Sequence, residues 1–337
     1  MVWDGQRMGS LLLAGDVGAT KTDLAILKET GSRAPLALSS LATANDSSLA
    51  ALASEFLNQA DLLVDRAVFA VAGPVTDERV AATLTHLPWE VDGNQLQAAM
   101  NLKSVKLIND VEALALSIPH LTPGDLYTLH AGQAAPKGAR AVIAVGTGLG
   151  EAFLIWDGTR YRACVSEGGH ASFAPSTPFE VDLLRHVQRS FDHVSYELVC
   201  SGMGLPNVYN CLKKKGYADE PAWLSEKLAA AKDPTPVIVA AALDTDAPCD
   251  IAVAALDHFV SILGSQAGNL ALTVMATGGV YLGGGMPPRM LAALEKGLFL
   301  DAFWNKGMMA EVLVQVPVHV ITNPQATLLG AACGVSV

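Results

Sequence analysis

The chain has 337 residues, more than one hydrophobic core usually serves, so we expect two domains. Its formal net charge is −11, which disfavours nucleic acid or an anionic membrane as a partner. The five cysteines are scattered without a CxxC pair, which indicates free thiols in a reducing compartment and argues against a zinc site. With no signal-peptide pattern and no apolar run of about 18 residues, we expect a cytoplasmic protein that acts on small molecules.

The first predicted element is a hairpin with a glycine turn, over residues 11–27, LLLAGDVGATKTDLAIL. Gly18 and Thr20 leave the turn without bulky side chains, so backbone amides can meet a phosphate there. Asp16 before the turn suits a hydrated Mg²⁺, and Lys21 after it could also meet a phosphate. An ordinary hairpin turn explains the same residues, and the turn alone does not decide between the two.

The next elements are predicted from apolar patterns that alternate between helix and strand. They are a helix over 49–63, a strand over 67–73, a strand over 104–110 and a helix that stops at Pro119. We expect a domain boundary near Leu121.

The strand that ends at Asn109 and Asp110 switches directly into this last helix. Ligands of α/β sheets tend to gather at such switches, where a carboxylate can act as a general base. Asn and Asp are also the residues favoured as helix N-caps. Position alone leaves both readings open.

A second glycine turn lies between the apolar runs of residues 141–155, AVIAVGTGLGEAFLI. Gly146, Thr147 and Gly148 form it, and two such turns predict a clamp on a polyphosphate such as ATP. Neither turn matches GxxxxGK[ST], and no GxGxxG opens a helix, so P-loop and dinucleotide chemistry are disfavoured.

The segment EGGH, from Glu167 to His170, places an acceptor and a donor on either side of two glycines. Such a loop can hydrogen-bond several hydroxyls of a small polar ligand. It is incomplete as a metal site, because no second His or Cys pair is near. A histidine satisfied in a core is the alternative for His170, and a surface helix charge is the alternative for Glu197.

The rest of the second half alternates helices and strands, which completes the expectation of an α/β architecture. Helices are expected over 178–190, 205–215, 251–273 and 325–333, with a strand at PVHVIT. A third glycine turn, with Gly284 and Gly285 before a helix starting at Pro287 or Pro288, is a candidate bed for a nucleotide.

Taken in order, eight motifs closely resemble the bacterial ATP-dependent glucokinase family, within the sugar kinase, Hsp70 and actin superfamily. They are DVGATKT, AVAGPV, THLPWEV, LINDVEALALSIP, VGTGLG, SEGGH, HVSYELVCSGMGL and GGVYLGGGMPPRML. The resemblance runs from about Leu12 to Gly334. INDVEA, GTGLG and EGGH at their mutual spacings are specific, whereas DxGxT alone is typical of the whole superfamily.

The resemblance implies an α/β, two-domain, duplicated ribonuclease H-like fold with a central cleft. Residues 1–121 plus 322–337 would form the small domain and residues 122–321 the large one. It also implies a cytoplasmic homodimer that uses ATP and Mg²⁺ to phosphorylate the 6-hydroxyl of glucose.

The resemblance also implies the role of each site residue. Asp110 matches the catalytic base, and Asn109, Glu167, His170 and Glu197 match sugar ligands, Glu197 from the following helix. Gly18, Thr20, Gly146, Thr147 and Gly148 match the phosphate turns, and Gly284 and Gly285 match the segment near the adenosine.

Two departures from the family pattern stand out. His86 in THLPW replaces an Asn that lies beside the sugar in many relatives, which could tighten, shift or weaken glucose recognition. The turn GATKT replaces GGTN, which should change fine geometry more than chemistry. The cysteine-rich motif of zinc-containing relatives is missing, so no zinc is expected.

The alternatives are another hexose or amino-sugar kinase, and a sugar sensor without turnover. A sensor usually adds a DNA-binding helix-turn-helix, and only about ten residues precede the first predicted strand, so we expect an enzyme.

Overall fold

The computed structural model describes residues 10–18, 20–28, 33–43, 48–76, 78–83 and 89–334. His86 and the centre of the THLPW motif lie outside these residues, so the expected role of His86 stays a prediction.

The described residues form strands and helices in alternation, as the mixed α/β expectation requires. The strands are β1 (Leu11–Val17), β2 (Lys21–Lys28), β3 (Ala37–Ala42), β4 (Arg66–Val71), β5 (Ala81–Thr83), β6 (Glu90–Asp92), β7 (Ser104–Asn109), β8 (Leu126–His130), β9 (Arg140–Val145), β10 (Leu149–Trp156), β11 (Tyr161–Ser166), β12 (Val280–Gly283) and β13 (Val318–Ile321). The helices are α1 (Leu49–Ala60), α2 (Gly93–Ala99), α3 (Asp110–Ser117), α4 (Pro178–Val187), α5 (Leu205–Lys215), α6 (Ala222–Ala230), α7 (Thr235–Leu243), α8 (Asp250–Val274), α9 (Leu291–Leu294), α10 (Leu298–Trp304), α11 (Ala310–Val314) and α12 (Ala326–Cys333).

The chain divides into two compact units. The first holds residues 1–122, 157–165 and 323–337, and the second holds residues 123–156 and 166–322. The expected division places the boundaries at 121/122 and 321/322 and keeps 157–165 with the second half.

The first unit is built on a five-stranded sheet in the order β3-β2-β1-β4-β7. Strands β1, β2 and β3 pair antiparallel, whereas β1, β4 and β7 pair parallel. Successive side chains of a strand point to opposite faces, and both faces of this sheet are covered. Leu11 and Leu13 join the core on one face with Phe56 of α1, and Leu12 joins the core on the other with Leu328 of α12.

The second unit repeats this plan around a sheet in which its strands follow the order β10-β9-β12-β13-β8. β9 and β10 form an antiparallel hairpin, and β9, β12 and β13 are parallel. Each of the first two glycine turns therefore joins the strands of an antiparallel hairpin. In both units the first strand of that hairpin also pairs with a parallel strand, β4 beside β1 and β12 beside β9. The expected structural echo of the two halves is present at this level.

Helix α8 is the longest helix of the described residues and passes through the core of the second unit. It is long and apolar enough to span a membrane by length and composition, but 78% of its most apolar window is buried inside the protein. Its buried side chains include Phe259, Ile262 and Leu263. This is the burial expected of a core helix.

Several predicted elements have different ends in the structure. The helix expected over 49–63 ends at Ala60, because Asp61 adopts a left-handed conformation with φ of 49°. The helix expected over 178–190 ends at Val187. The single helix expected from Pro287 is a short 3₁₀ turn followed by the four-residue α9.

Candidate active site

Asp16 and Asp110 lie at the same edge of the first unit's sheet. In the parallel register, Val17 faces Val71 of β4, and Val71 faces Asn109 of β7. The carboxyl ends of three neighbouring parallel strands thus meet at one edge, which is where ligands bind in open α/β sheets. The first unit therefore brings together the two carboxylates predicted to act on the phosphate and on the sugar hydroxyl.

The pKa of Asp16 is raised from 3.8 to about 7. Burial of the carboxyl group is the main cause, and the negative charges of Asp110 and Asp23 add to it, whereas Lys21 lowers it. A divalent cation would relieve this concentration of negative charge, and carboxylate oxygens are the ligands that Mg²⁺ prefers. The residues present therefore fit the expected Mg²⁺, with Asp16 as the residue that would hold it. Among the residues described, no group of three His, Cys, Asp or Glu side chains forms a closed metal cage.

Asn109, not Asp110, is the N-cap of α3. Its Oδ1 accepts hydrogen bonds from the amides of Val111 at 2.9 Å and Glu112 at 3.2 Å, and its Nδ2 donates to the Gly73 carbonyl at 3.3 Å. Asp110 is the first residue of the helix, and its Oδ1 also accepts from the Val111 amide, at 2.9 Å. The helix-capping alternative is thus correct for Asn109, and capping does not account for the carboxylate at Asp110.

The first glycine turn is held by backbone bonds and by a threonine from the end of β3. The Gly18 amide donates to the Lys21 carbonyl at 3.0 Å, and the Thr43 hydroxyl donates to the Gly18 carbonyl at 2.8 Å. Thr20 is exposed, and its carbonyl accepts from the Thr43 amide at 3.2 Å. Lys21 pairs with Asp23 at 2.7 Å, so a phosphate would have to compete with this carboxylate for the ammonium group.

The second glycine turn packs against the turn that precedes α5. The Gly202 amide donates to the Gly146 carbonyl at 2.8 Å, and the Met203 amide donates to the Thr147 carbonyl at 3.0 Å. Thr147 is exposed, and a Cβ added at Gly146 would meet open space. The carbonyls of Gly146 and Thr147 are therefore hydrogen-bonded to the turn before α5, and there is space for a ligand beside Gly146.

Glu167, His170 and Glu197 come together in the second unit. His170 lies between the two carboxylates, with Nε2 3.8 Å from Glu167 Oε2 and Nδ1 3.8 Å from Glu197 Oε1. Glu197 accepts from the Leu149 amide at 2.9 Å and its side chain is 18% exposed, whereas that of Glu167 is 81% exposed. His170 is 60% exposed, so it is not a satisfied core histidine.

The resemblance implied that Glu197 lies on a helix, and this expectation is wrong. Glu197 belongs to a turn that ends before α5 begins at Leu205, and its amide donates to the Gly169 carbonyl at 2.9 Å. This backbone bond joins the turn of Glu197 directly to the EGGH loop, which forms a 3₁₀ turn over Gly168–His170.

The third glycine turn has one position that requires glycine. Gly284 has φ of +84°, and a Cβ there would collide with the backbone of Val145 at the end of β9. Gly285 faces open space, and the Met286 amide donates to the Val145 carbonyl at 3.1 Å. The second and third glycine turns are therefore neighbours in the second unit.

Two polar contacts between side chains of these units could not be predicted from the sequence. Arg79 forms a bidentate pair with Glu112 in the first turn of α3, at 2.8 and 2.7 Å. Glu151, directly after the GTGLG turn, is buried and accepts from Gln266 at 2.7 Å. The two residues of each pair lie far apart in sequence, so these contacts become visible only in the folded structure.

Two α/β units with related sheets, glycine turns at the ends of strands, and carboxylates beside the EGGH loop are the features expected of a phosphotransferase of the sugar-kinase class. The family model of glucokinase matches residues 13–336. Glucokinase of Nostoc punctiforme is 36% identical over 338 residues, covering 96% of this chain and 98% of that one. The chain belongs to the glucokinase family.

Solved structures agree with this assignment. The glucokinase of an Antarctic psychrotroph is 30% identical, with a TM-score of 0.81 over 97% of this chain and 99% of that one. The glucokinase of Balamuthia mandrillaris is 19% identical, with a TM-score of 0.83 over 98% of this chain and 95% of that one, a likeness that shows the fold alone. The expected fold class is confirmed.

Proposed function

We propose that this chain transfers the γ-phosphoryl group of ATP to the 6-hydroxyl of D-glucose, giving glucose 6-phosphate and ADP. Membership of the glucokinase family supports the reaction. The observation that carries the mechanism is the place of Asp110 at the sheet edge beside Asp16, with the capping of α3 performed by Asn109.

Asp110 acts as the general base. Its carboxylate accepts the proton of the 6-hydroxyl as that oxygen forms its bond to the γ-phosphorus, while the bond from phosphorus to the bridging oxygen of ADP breaks. Mg²⁺ held near Asp16 supplies charge neutralisation for the phosphoryl oxygens when it is bound. Because phosphoryl transfer needs little covalent chemistry from the protein, the other site residues act by holding the sugar hydroxyl and the phosphates in position for the reaction.

The glycine turns contribute space close to the backbone, while the amides of Gly18 and Gly146 hold the turns themselves in shape. Gly18 and Thr20 in the first unit, and Gly146, Thr147 and Gly148 in the second, are proposed to line the phosphates, and Lys21 to exchange Asp23 for a phosphate oxygen. Gly284 and Gly285 are proposed to lie near the adenosine.

We assign sugar binding to side chains that can form hydrogen bonds with hydroxyl groups. Glu167, His170 and Glu197 offer two carboxylates and an imidazole within a short distance of each other, and Asn109 offers its amide. A site built to pair a hydroxyl penalises a sugar that leaves these groups unpaired, so the arrangement supports selection among hexoses.

We also propose that the enzyme is a cytoplasmic homodimer. All five cysteines are free thiols, which suits a reducing compartment. Sedimentation of the purified protein tests the dimer, which rests on the family resemblance alone.

The test of the mechanism is the substitution Asp110→Asn, with Asp92→Asn as its control. Asp92 caps α2 in the same unit, and Asn caps equally well, so the control should keep wild-type kcat. Loss of a general base costs about 10²- to 10⁴-fold, so Asp110→Asn should lower kcat by that factor while glucose and ATP still bind. A folded Asp110→Asn enzyme with more than roughly a tenth of wild-type kcat would overturn the catalytic assignment.

A further inference from the structure

A buried polar cluster in the second unit contacts the EGGH loop and the turn that carries Glu197. It consists of Glu151 on β10, Gln266 and Asn269 on α8, and Tyr196 in the turn before α5. Gln266 Nε2 donates to Glu151 Oε1 at 2.7 Å, and Asn269 Nδ2 donates to Gln266 Oε1 at 3.2 Å and to the Tyr196 hydroxyl at 3.0 Å. These bonds form one continuous chain from β10 to the turn.

The carboxyl group of Glu151 is costly to keep in this place. Its side chain is in the core at 3% exposure, and among the ion pairs of the described residues none includes it. Burial raises its pKa, and the hydrogen bond from Gln266 only partly offsets this. A buried carboxyl group with a single amide partner weakens a core, so its presence calls for a local reason.

One end of the cluster supports the EGGH loop. Glu151 Oε2 lies against the backbone of Gly168, where a Cβ would overlap it. Because Gln266 holds the carboxyl group from the other side, this end of the Glu151 side chain has little freedom to move away. The backbone of Gly168 therefore packs against a carboxyl group that is held in place by Gln266.

The other end of the cluster holds the turn that carries Glu197. The Tyr196 hydroxyl accepts from Asn269, and the Tyr196 amide donates to the Ala171 carbonyl at 3.0 Å. The Glu197 amide donates to the Gly169 carbonyl, so this turn and the EGGH loop form a short ladder. The two ends of the cluster thus meet the two segments that present Glu167, His170 and Glu197.

We infer that Glu151 and Gln266 are positioning residues for sugar binding: together with Asn269 and Tyr196 they fix the EGGH loop and the Glu197 turn in one arrangement. They touch no substrate themselves. The identity of the sugar in this inference rests on the proposed function, but the positioning of the two segments does not.

The decisive variant is Gln266→Leu, which keeps the volume at that position but removes both hydrogen bonds of the Gln266 amide. Ile262→Val, which trims a buried apolar residue of the same helix, is the control for a general loss of stability. Asn269→Leu, at a partly buried position, removes the bonds of Asn269 to Tyr196 and to Gln266 but leaves the bond between Gln266 and Glu151, and it serves if Gln266→Leu does not fold. Glu151→Gln is the conservative variant, because its amide oxygen can still accept from Gln266.

The first readout is amide hydrogen exchange without any ligand. Gln266→Leu should speed exchange in residues 167–171 and 195–198 by about tenfold relative to Ile262→Val. The second readout is kinetic: the KM for glucose should rise by about tenfold in Gln266→Leu, while the KM for ATP stays within about twofold. Glu151→Gln should stay close to the wild type in both.

If Gln266→Leu and Asn269→Leu match Ile262→Val in both exchange and glucose KM, the positioning role is wrong. If the wild-type protein fails to phosphorylate glucose but the exchange result holds, the proposed function fails and the positioning of the two segments stands. The two failures are therefore distinguishable.

Discussion

At the scale of single residues, Asn109 has an observed role as a helix cap and a proposed role in sugar binding, and substitutions can separate the two. Its Oδ1 caps α3, and its Nδ2, which donates to the Gly73 carbonyl, is the group that we propose also donates to a sugar hydroxyl. Asn109→Ser should keep the cap, because serine caps as well as asparagine, whereas Asn109→Ala should cost about 1 kcal/mol of stability. Both should raise the glucose KM by a similar factor, since both lose Nδ2. Urea unfolding and steady-state kinetics measure the two effects.

An Asn109→Ser enzyme with a wild-type glucose KM would show that Asn109 is a helix cap and no more. A large loss of stability in the same variant would show that the cap requires more than an oxygen at this position.

Glu151 predicts a pH dependence of stability. Its pKa in the folded state lies above the ordinary value of 4.5, so the folded protein binds the proton more tightly than the unfolded chain. The stability that Glu151 contributes is therefore present below pH 4.5 and is lost as the pH rises toward the folded pKa. Glu151→Gln removes this titration, so the variant should gain stability relative to the wild type as the pH rises from 5 to 8.

Urea unfolding of both proteins across that pH range tests the point. A constant difference between wild type and Glu151→Gln at every pH would mean that this carboxyl group titrates as it does in the unfolded chain.

At the scale of elements, the pair Arg79–Glu112 ties the segment before β5 to the first turn of α3. Arg79 has φ of 59°, a conformation that costs a non-glycine residue about 1 kcal/mol or more, and its carbonyl accepts from the Leu107 amide of β7 at 2.9 Å. Glu112 is buried with 4% side-chain exposure, while Arg79 retains 33%. The strained backbone is thus held by a backbone bond and by a bidentate ion pair.

We expect Arg79→Ala to destabilise the protein by about 2 kcal/mol, below the usual cost of breaking a buried pair because the guanidinium is partly hydrated. The double variant Arg79→Met with Glu112→Leu should recover most of that loss, since no charge then stays buried without a partner. Chemical denaturation of the single and double variants measures this. A double variant no more stable than Arg79→Ala would show that the buried carboxylate is not the source of the cost.

The sequence predicted most elements near the site because each is bounded by a local signal. Alternating or continuous apolar runs marked β1, β2, β7, β9 and β10, and glycine marked the turns between them. The ends of α1 and α4 were less predictable, because a left-handed residue at Asp61 ends α1 and residues 188–190 form a turn that does not continue α4. Edge elements such as β3 and β11 were missed, since none of their residues is fully buried and their sequences show little apolar pattern.

At the scale of the whole molecule, the two units share one plan of hairpin and parallel strands, and each unit holds some of the predicted site residues. Asp16, Asn109 and Asp110 belong to the first unit, and Glu167, His170 and Glu197 to the second. The motifs in sequence order nominate this set as a prediction, because each motif is local. The bond between Glu151 and Gln266 joins residues 115 positions apart, so no local pattern could indicate it.

The most direct test of the account is the rate of phosphorylation of several sugars by the purified protein with ATP and Mg²⁺. Glucose, mannose, fructose, galactose and N-acetylglucosamine should be compared, with Asp110→Asn measured in parallel. We expect the highest kcat/KM for glucose and a loss of about 10²- to 10⁴-fold in the Asp110→Asn enzyme. A higher kcat/KM for another sugar, or binding of glucose without formation of glucose 6-phosphate, would contradict it.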